Sequence, residues 1–201
     1  MLREKNKLII IAEAGVNHNG KLSDAFKLVD VAKKAGADFV KFQSWTSKSI
    51  FSKEKYKDNF FLEDDYRNRK DTNLEKIVKK YSFSENDLMK VKQFADKINI
   101  ELLSTPFSKK EVDFLVKKIN VPFIKIASMD LNNYPLINYI AKKKLPIIIS
   151  TGFGSKIEIK KAISILKRNK AKFIILHCVS EYPPNNENLN LLRIKEFKKI
   201  F

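Results

Sequence analysis

The 201-residue sequence predicts an α/β fold with a parallel sheet. Two observations carry this prediction. Short apolar runs of about four to seven residues alternate with amphipathic helical patterns, and the runs are apolar along their whole length, as strands buried on both faces of a parallel sheet are. Right-handed crossovers would place the helices outside the sheet. A strand–helix order repeated six times fits either an open doubly wound sheet or an unfinished barrel.

The predicted strands and helices follow from these patterns. The strands are Leu8–Ala12, Phe39–Phe42, Ile98–Leu103, Pro122–Ala127, Leu145–Ile149 and Lys172–Cys178. The helices are Ser23–Ala35, Ser84–Lys97, Ser108–Lys118, Asn133–Lys143, Ser155–Arg168 and Leu189–Lys199. Ser108 and Ser155 each precede a glutamate by three residues, which predicts a capping box at both helices. The polar stretch 44–80 breaks the alternation, and we predict a long loop with short helices there.

Charge and composition narrow the function classes. The net charge is +17, but only five of the 40 basic residues are arginine and the lysines are scattered. We therefore expect no nucleic-acid partner and no membrane partner, and keep a non-enzymatic basic binding module as an alternative. No apolar run is long enough to span a membrane or to act as an export signal, so we expect a cytoplasmic protein. One cysteine, Cys178, cannot form an internal disulfide.

Polar side chains cluster where the predicted strands end. In β/α folds this carboxyl edge of the sheet holds the active site. Lys41 and Lys125 lie in buried strands and would be costly as unpaired charges, so they need a carboxylate or a substrate phosphate nearby. Glu13 is a candidate general acid or base. The other candidates at this edge are Gln43, Thr105, Ser128, Ser150 and Tyr182.

Each candidate has a simpler alternative. Glu13 and Lys41 could form a structural ion pair, and Ser150 could belong to a helix-entry turn. Lys125 could form a Schiff base, as in aldolases that work from a strand lysine. His18, between two asparagines, is more typical of a turn than of a metal site. Two histidines and one cysteine make a metal site from this chain alone improbable.

At these residues the sequence resembles the N-acetylneuraminate (sialic acid) synthase family. The resemblance covers about residues 7–200 and rests on six strings in the family's order. They are Ile9–Gly20, Lys-Phe-Gln at 41–43, Ser-Thr-Pro-Phe at 104–107, Lys-Ile-Ala-Ser at 125–128, Ser-Thr-Gly at 150–152 and His-Cys-Val-Ser-Glu-Tyr-Pro at 177–183. Any one string is weak evidence, but six at strand ends are strong evidence.

The resemblance implies a fold and a reaction. The fold is an incomplete TIM (β/α)8 barrel with six of eight units, a single domain over residues 1–201. The reaction condenses phosphoenolpyruvate with an N-acetylated hexose, such as N-acetylmannosamine, to a nine-carbon 2-keto sugar acid. The phosphoenolpyruvate would be held by Lys41, Thr105, Lys125, Ser128 and Ser150, with Gln43 and Tyr182 on the substrates. The family uses Mn2+ or Mg2+ and forms homodimers.

The departures from the family concern the chain's second half. The family's metal ligands are histidines after the seventh and eighth strands, and this chain ends at Phe201. The family's C-terminal antifreeze-like domain is also absent from the sequence. We therefore expect the isolated chain to have little or no synthase activity, and to expose an apolar flank at an open sheet edge. The residues leave open which sugar is used, and whether the chain is a truncated gene, one half of a split gene or a fragment.

Overall fold

The computed structural model describes residues 8–201 and shows an α/β fold with parallel strands. Residues 1–7 of the predicted domain 1–201 lie outside the described residues. The chain divides after Ser104 into two compact units, here called the first unit (up to Ser104) and the second unit (Thr105–Phe201). The single six-of-eight barrel domain stays a prediction.

The first unit contains a sheet with the order β1-β2-β5, in which β1 (Ile11–Gly15) pairs in parallel with β2 (Phe39–Ser44). The third strand, β5 (Glu101–Pro106), runs on into the second unit. Two helices, α1 (Leu22–Lys34) and α4 (Glu85–Lys97), pack on each other. Their apolar faces are buried, and the Phe26 and Phe94 rings meet with centroids 4.9 Å apart.

The stretch 44–80 has more structure than the predicted loop. The expected short helices are present as α2 (Lys53–Asp58) and α3 (Leu74–Tyr81). Between them lies an antiparallel hairpin of β3 (Phe60–Phe61) and β4 (Asp64–Asp65). A separate small core closes this segment, with buried Tyr66, Leu74 and Val78 packed against partly buried neighbours that include Trp45, Ile50, Phe51, Tyr56, Phe61 and Ile77.

The second unit contains a parallel sheet of β6 (Ile124–Ile126), β7 (Ile147–Ser150) and β8 (Phe173–Leu176), in that order. Its helices are α5 (Lys109–Phe114), which continues as a π-helical turn over Leu115–Ile119, then α6 (Tyr134–Ala141), α7 (Lys156–Arg168) and α8 (Arg193–Ile200). β7 is buried along its length, whereas Ile174 in β8 is 39% exposed.

The capping boxes predicted at the starts of two helices can be compared with the hydrogen bonds in the structure. At α7 the capping box is confirmed, because Ser155 Oγ accepts from the Glu158 N–H at 3.3 Å and Glu158 Oε2 accepts from the Ser155 N–H at 2.9 Å. At α5 the Ser108 Oγ accepts from the Glu111 N–H at 3.4 Å. The Glu111 carboxylate accepts from the Phe107 N–H at 2.8 Å, one residue before the cap.

All six predicted strands differ from the observed bounds at one end or both, and three of the differences involve candidate residues. β1 lies three residues later than Leu8–Ala12, so Glu13 is inside the strand and not after it. β5 extends to Pro106 and includes Ser104 and Thr105, and β8 stops at Leu176, before His177 and Cys178. Apolar runs mark burial and not strand ends, and these ends carry polar side chains such as Ser104, whose partner Ser44 lies far away in the sequence. No helix among the described residues is long and apolar enough to cross a membrane.

Candidate functional site

The first unit brings together three of the predicted site residues. Glu13 in β1 lies opposite Lys41 in β2 in the strand register, and their side chains form a close ion pair. Lys41 is buried while the Glu13 side chain is 55% exposed, so the pair opens to solvent on the glutamate side. A Cβ built on Gly15 would lie 3.8 Å from both Glu13 Oε1 and Gln43 Nε2, so these polar groups flank the same glycine.

This ion pair is the alternative that the sequence had left open for Lys41. Its presence means that Glu13 already neutralises much of the Lys41 charge. An anion bound at Lys41 would therefore have to share the ammonium group with Glu13 or displace it. One residue further along β2 from Gln43, the Ser44 and Ser104 hydroxyls lie 2.6 Å apart.

His18 serves the turn after β1, as the sequence favoured. The buried ring stacks on Phe83 with centroids 3.7 Å apart, and Nδ1 accepts from the Gly20 N–H at 3.0 Å. Burial lowers the His18 pKa to about 4, so the ring is neutral near pH 7. Because Nδ1 is the acceptor, the proton sits on Nε2, which has no hydrogen-bond partner among the described residues.

The second unit gathers hydroxyl groups at the carboxyl ends of β6, β7 and β8. Ser128 Oγ accepts from the Gly152 N–H at 3.0 Å, and Cys178 Sγ lies 3.3 Å from Ser150 Oγ. A Cβ at position 152 would lie 2.3 Å from Ser180 Oγ and 3.0 Å from Ser128 Oγ. The lack of a side chain at Gly152 thus allows the Ser128 and Ser180 hydroxyls to approach this residue closely. We call Ser128, Ser150, Gly152, Cys178 and Ser180 the hydroxyl cluster.

Lys125 lies in β6, three residues before Ser128. It is partly buried, and its Nζ donates to the Ile126 carbonyl oxygen at 2.8 Å. The Ser-Thr-Gly string also has the turn role that was considered for it, because Thr151 Oγ1 donates to the Leu176 carbonyl oxygen at 2.9 Å and joins the ends of β7 and β8.

Tyr182 and Thr105 are two further predicted site residues. Tyr182 lies after β8, forms a cis peptide bond with Pro183 and is 91% exposed. Thr105 is buried near the end of β5.

His177 and Cys178 follow β8 and make separate contacts. His177 Nε2 lies 2.7 Å from the Leu189 carbonyl oxygen, whereas Cys178 Sγ lies 3.3 Å from Ser150 Oγ.

Sequence reasoning missed Asp130. It lies in a short 3-10 turn two residues after Ser128, and it is buried. Oδ1 accepts from Asn133 Nδ2 at 3.0 Å, while Oδ2 has no partner among the described residues. Burial, with a smaller effect from Glu111, raises the Asp130 pKa. A signal was available: an acid two residues past a strand-end Ser128 occupies the edge where this fold places chemistry.

The described residues offer no ready metal site. Between residues 8 and 201, no three side chains of His, Cys, Asp and Glu come together in a group that could hold an ion.

Each unit carries polar side chains in or just after its parallel strands, and in β/α proteins the active site lies at the carboxyl edge of such a sheet. The comparisons with known proteins define the group further. The chain belongs to the NeuB family, whose model matches residues 28–201. This confirms the resemblance stated from the sequence.

Several relatives with assigned functions are sugar-acid synthases. The chain is 39% identical over 201 residues to the N,N'-diacetyllegionaminic acid synthase of Campylobacter jejuni, covering 97% of this chain and 58% of the relative. It is 32% identical to human N-acetylneuraminate-9-phosphate synthase, covering 96% and 52%. The chain thus spans about half the length of the curated relatives it matches.

Solved structures agree. The sialic acid synthetase of Leptospira borgpetersenii, crystallised with citrate, matches with a TM-score of 0.83 at 36% identity, covering 98% of this chain and 62% of that one. A 3-deoxy-D-arabino-heptulosonate 7-phosphate synthase from Thermotoga maritima matches at 12% identity with a TM-score of 0.65, which shows a shared fold alone.

Proposed function

We propose that this chain carries the phosphoenolpyruvate-binding part of a sugar-acid synthase that acts on an N-acetylated hexose. The observation that supports this most is the hydroxyl cluster at the carboxyl ends of β6, β7 and β8. Hydroxyls and a backbone N–H at the ends of three parallel strands are suited to a phosphate or a carboxylate. Lys41, paired with Glu13, and Thr105 at the end of β5 are the proposed further contributors.

The proposed reaction assigns a role to each of these groups. Lys125 and Lys41 would neutralise phosphoenolpyruvate, and Ser128 and Ser150 would donate to its oxygens. The enol carbon C3 then forms a bond to the aldehyde carbon of the open-chain sugar, and the aldehyde oxygen takes up a proton. Water adds to C2, the C2–O bond to phosphate breaks, and a 2-keto acid and inorganic phosphate result.

Proton transfer needs an acid near the sugar. Glu13 is the proposed candidate because its side chain in β1 is partly exposed and pairs with Lys41. Asp130 is a second candidate, since burial raises its pKa and its Oδ2 has no partner among the described residues. Gln43 and Tyr182 would contact the substrates. The divalent metal of the family would supply Lewis-acid chemistry, and no described group of this chain is assigned to hold it.

The sugar is best chosen by testing. Relatives are named for legionaminic, N-acetylneuraminic and pseudaminic acids, with 39%, 32% and 33% identity. The string Ile9–Gly20 favours the first two. N-acetylmannosamine and the diacetamido precursor of legionaminic acid are therefore the two sugars to compare. The cytoplasm and a homodimeric state remain our expectations.

Phosphoenolpyruvate binding tests the proposal directly. Calorimetry on the purified chain should show one site, and Lys125→Gln should weaken binding at least about tenfold, the effect of a lost charge-assisted hydrogen bond. Lys90→Gln removes an exposed charge on α4 and should leave binding unchanged. Binding that is absent, or equally strong in both variants, would reject the phosphoenolpyruvate site.

Activity and mechanism require two further assays. With phosphoenolpyruvate, either sugar and Mn2+, we expect the isolated chain to release little or no phosphate; vigorous turnover would show that it needs no further part. Borohydride with pyruvate separates the synthase from a Schiff-base aldolase, because an imine at Lys125 would be reduced to a stable adduct. We expect no increase in mass at that lysine.

A further inference from the structure

A surface cavity in the first unit lies outside the groups described so far. Its volume is about 860 Å³, and it lies between the start of the segment after β2 and the helices α2 and α3. Its walls carry two serines, Ser47 and Ser52, two aromatic rings, Phe51 and Tyr56, and five charged side chains, Lys48, Lys53, Lys57, Glu75 and Lys79.

The charges in this cavity are unbalanced. Glu75 is committed to Lys79, with Oε1 2.8 Å from Nζ. Lys48, Lys53 and Lys57 form no ion pair with any of the residues that the structure describes. Ammonium groups on one concave surface repel one another, and an anion placed among them relieves that repulsion.

Tyr56 adds a hydrogen-bond donor of defined position. Its ring is fixed against Phe51 at 5.9 Å and against the small core of the 44–80 segment. Its hydroxyl is buried and has no hydrogen-bond partner among residues 8–201. Burial and the Glu75 charge raise the Tyr56 pKa, so the phenol keeps its proton at neutral pH. A rigid protonated phenol without a partner is a donor available to a ligand.

We propose that the cavity between the segment after β2 and the helices α2 and α3 is a second oxyanion site, which binds a phosphate group through Lys48, Lys53, Lys57 and the Tyr56 hydroxyl. Ser47 and Ser52 supply further hydroxyl groups at its wall. The inference goes beyond the proposed synthase reaction, because this cavity contains none of the residues assigned to phosphoenolpyruvate. The phosphate could be free or part of a phosphate monoester.

The chain carries its own reporter for this site. Trp45 is its one tryptophan and packs against the same small core as Phe51 and Tyr56. Titration with inorganic phosphate at constant ionic strength should give a saturable change in Trp45 fluorescence. A parallel titration with N-acetylmannosamine 6-phosphate distinguishes the sources, since tighter binding of the ester indicates a phosphorylated ligand and equal binding indicates free phosphate.

Matched variants locate the binding. Lys53→Gln and Lys57→Gln should each weaken phosphate binding by about two- to fivefold, as expected for exposed charges. Lys76→Gln is the control, because Lys76 is an exposed lysine on α3 that does not line the cavity. Tyr56→Phe keeps the ring and removes the hydroxyl, and should weaken binding by about two- to tenfold without lowering the melting temperature.

Three results would overturn the inference: a linear, unsaturable response; equal weakening in Lys76→Gln and Lys53→Gln; or unchanged binding in both Lys53→Gln and Tyr56→Phe. The signal should persist in Lys125→Gln, and its loss there would place the phosphate at the hydroxyl cluster instead. A failure here would leave the phosphoenolpyruvate proposal intact, because that proposal is tested by calorimetry with a different ligand and different lysines.

Discussion

The polar side chains in and after the parallel strands have different kinds of partner in the two units. In the first unit the buried charge of Lys41 is met by Glu13 on the neighbouring strand, and the next hydroxyls, Ser44 and Ser104, bond to each other. In the second unit Ser128 Oγ accepts from the backbone N–H of Gly152, and Ser180 Oγ lies 2.3 Å from the place that a Cβ at position 152 would take. The first arrangement joins an ion pair and a pair of hydroxyls across neighbouring strands, whereas the second joins neutral hydroxyls to a glycine.

This difference indicates how well each set of groups is suited to binding an anion. A charge that already has a partner contributes less to a ligand, because binding must replace an existing ion pair. Neutral hydroxyls lose less on exchanging partners, and they can donate to an anion without a competing charge. We infer that the neutral hydroxyls of the second unit are better suited to receiving an anion than the Lys41–Glu13 pair, whose charges already compensate each other.

The largest effect should come from the backbone contact that holds the first unit's turn. A Cβ on Gly20 would lie 2.0 Å from the Lys80 carbonyl oxygen, and φ there is +74°. Gly20→Ala should lower the free energy of unfolding by about 3 kcal/mol or more. Gly36→Ala is the matched control: φ is +79°, but nothing lies within 4 Å, so only strain of about 1–2 kcal/mol is expected. Equal losses in urea unfolding would show that the contact with Lys80 is unimportant.

The second-largest effect is a pH dependence of the free energy of unfolding that is caused by His18. Its pKa falls from 6.5 in the unfolded chain to about 4 in the folded one. Its contribution is therefore complete above pH 6.5 and is lost as the pH falls toward the folded pKa, by about 2 kcal/mol. Urea unfolding at about pH 7.5 and pH 4.5 should show a steeper loss for wild type than for His18→Gln, which does not titrate. Parallel slopes would exclude this role for His18.

A smaller effect tests the opening at Gly152. Gly152→Ala should cost about 1 kcal/mol in stability, because Ser180 Oγ, 2.3 Å from the new Cβ, can rotate away, and it should weaken phosphoenolpyruvate binding more than Ser180→Ala does. In the double variant Gly152→Ala with Ser180→Ala, the stability loss should be smaller than the sum of the single losses. Strict additivity would mean that the two side chains do not share this space.

The smallest effect is a gain in stability, whereas the glycine variants lose stability. Because burial raises the Asp130 pKa, the ionised carboxylate is unfavourable near neutral pH, and its cost is relieved as the pH falls through the folded pKa. Asp130→Asn should therefore keep or raise stability near pH 7, by up to about 1 kcal/mol. Thermal unfolding at pH 7 and at pH 4 should show that the advantage disappears at the lower pH. A clear destabilisation near pH 7 would indicate that the charge is favourable.

The repeated strand–helix order was predictable from the sequence because apolar runs and helical periodicity are set by burial. The positions at which the strands end were less predictable. β5 continues through Ser104 and Thr105 because Ser104 has a hydroxyl partner in Ser44, which no local pattern reveals. The hairpin β3–β4 was missed because two-residue strands are too short to show alternation.

The site shows the same limit. The candidate residues could be named from their positions at strand ends. The partner of Lys41 could not be predicted, because the sequence was consistent with either a substrate anion or the Glu13 carboxylate. Asp130 was missed because its burial, and the presence of Glu111 from 19 positions earlier, depend on the tertiary fold, although its place two residues after Ser128 was visible in the sequence.

Calorimetric binding of phosphoenolpyruvate to Lys41 and Lys125 variants tests the central claim most directly. The wild type should bind a single molecule, and Lys41→Gln and Lys125→Gln should each weaken that binding, with the larger loss at Lys125. Wild-type affinity in either variant, or two independent binding events, would contradict the phosphoenolpyruvate proposal.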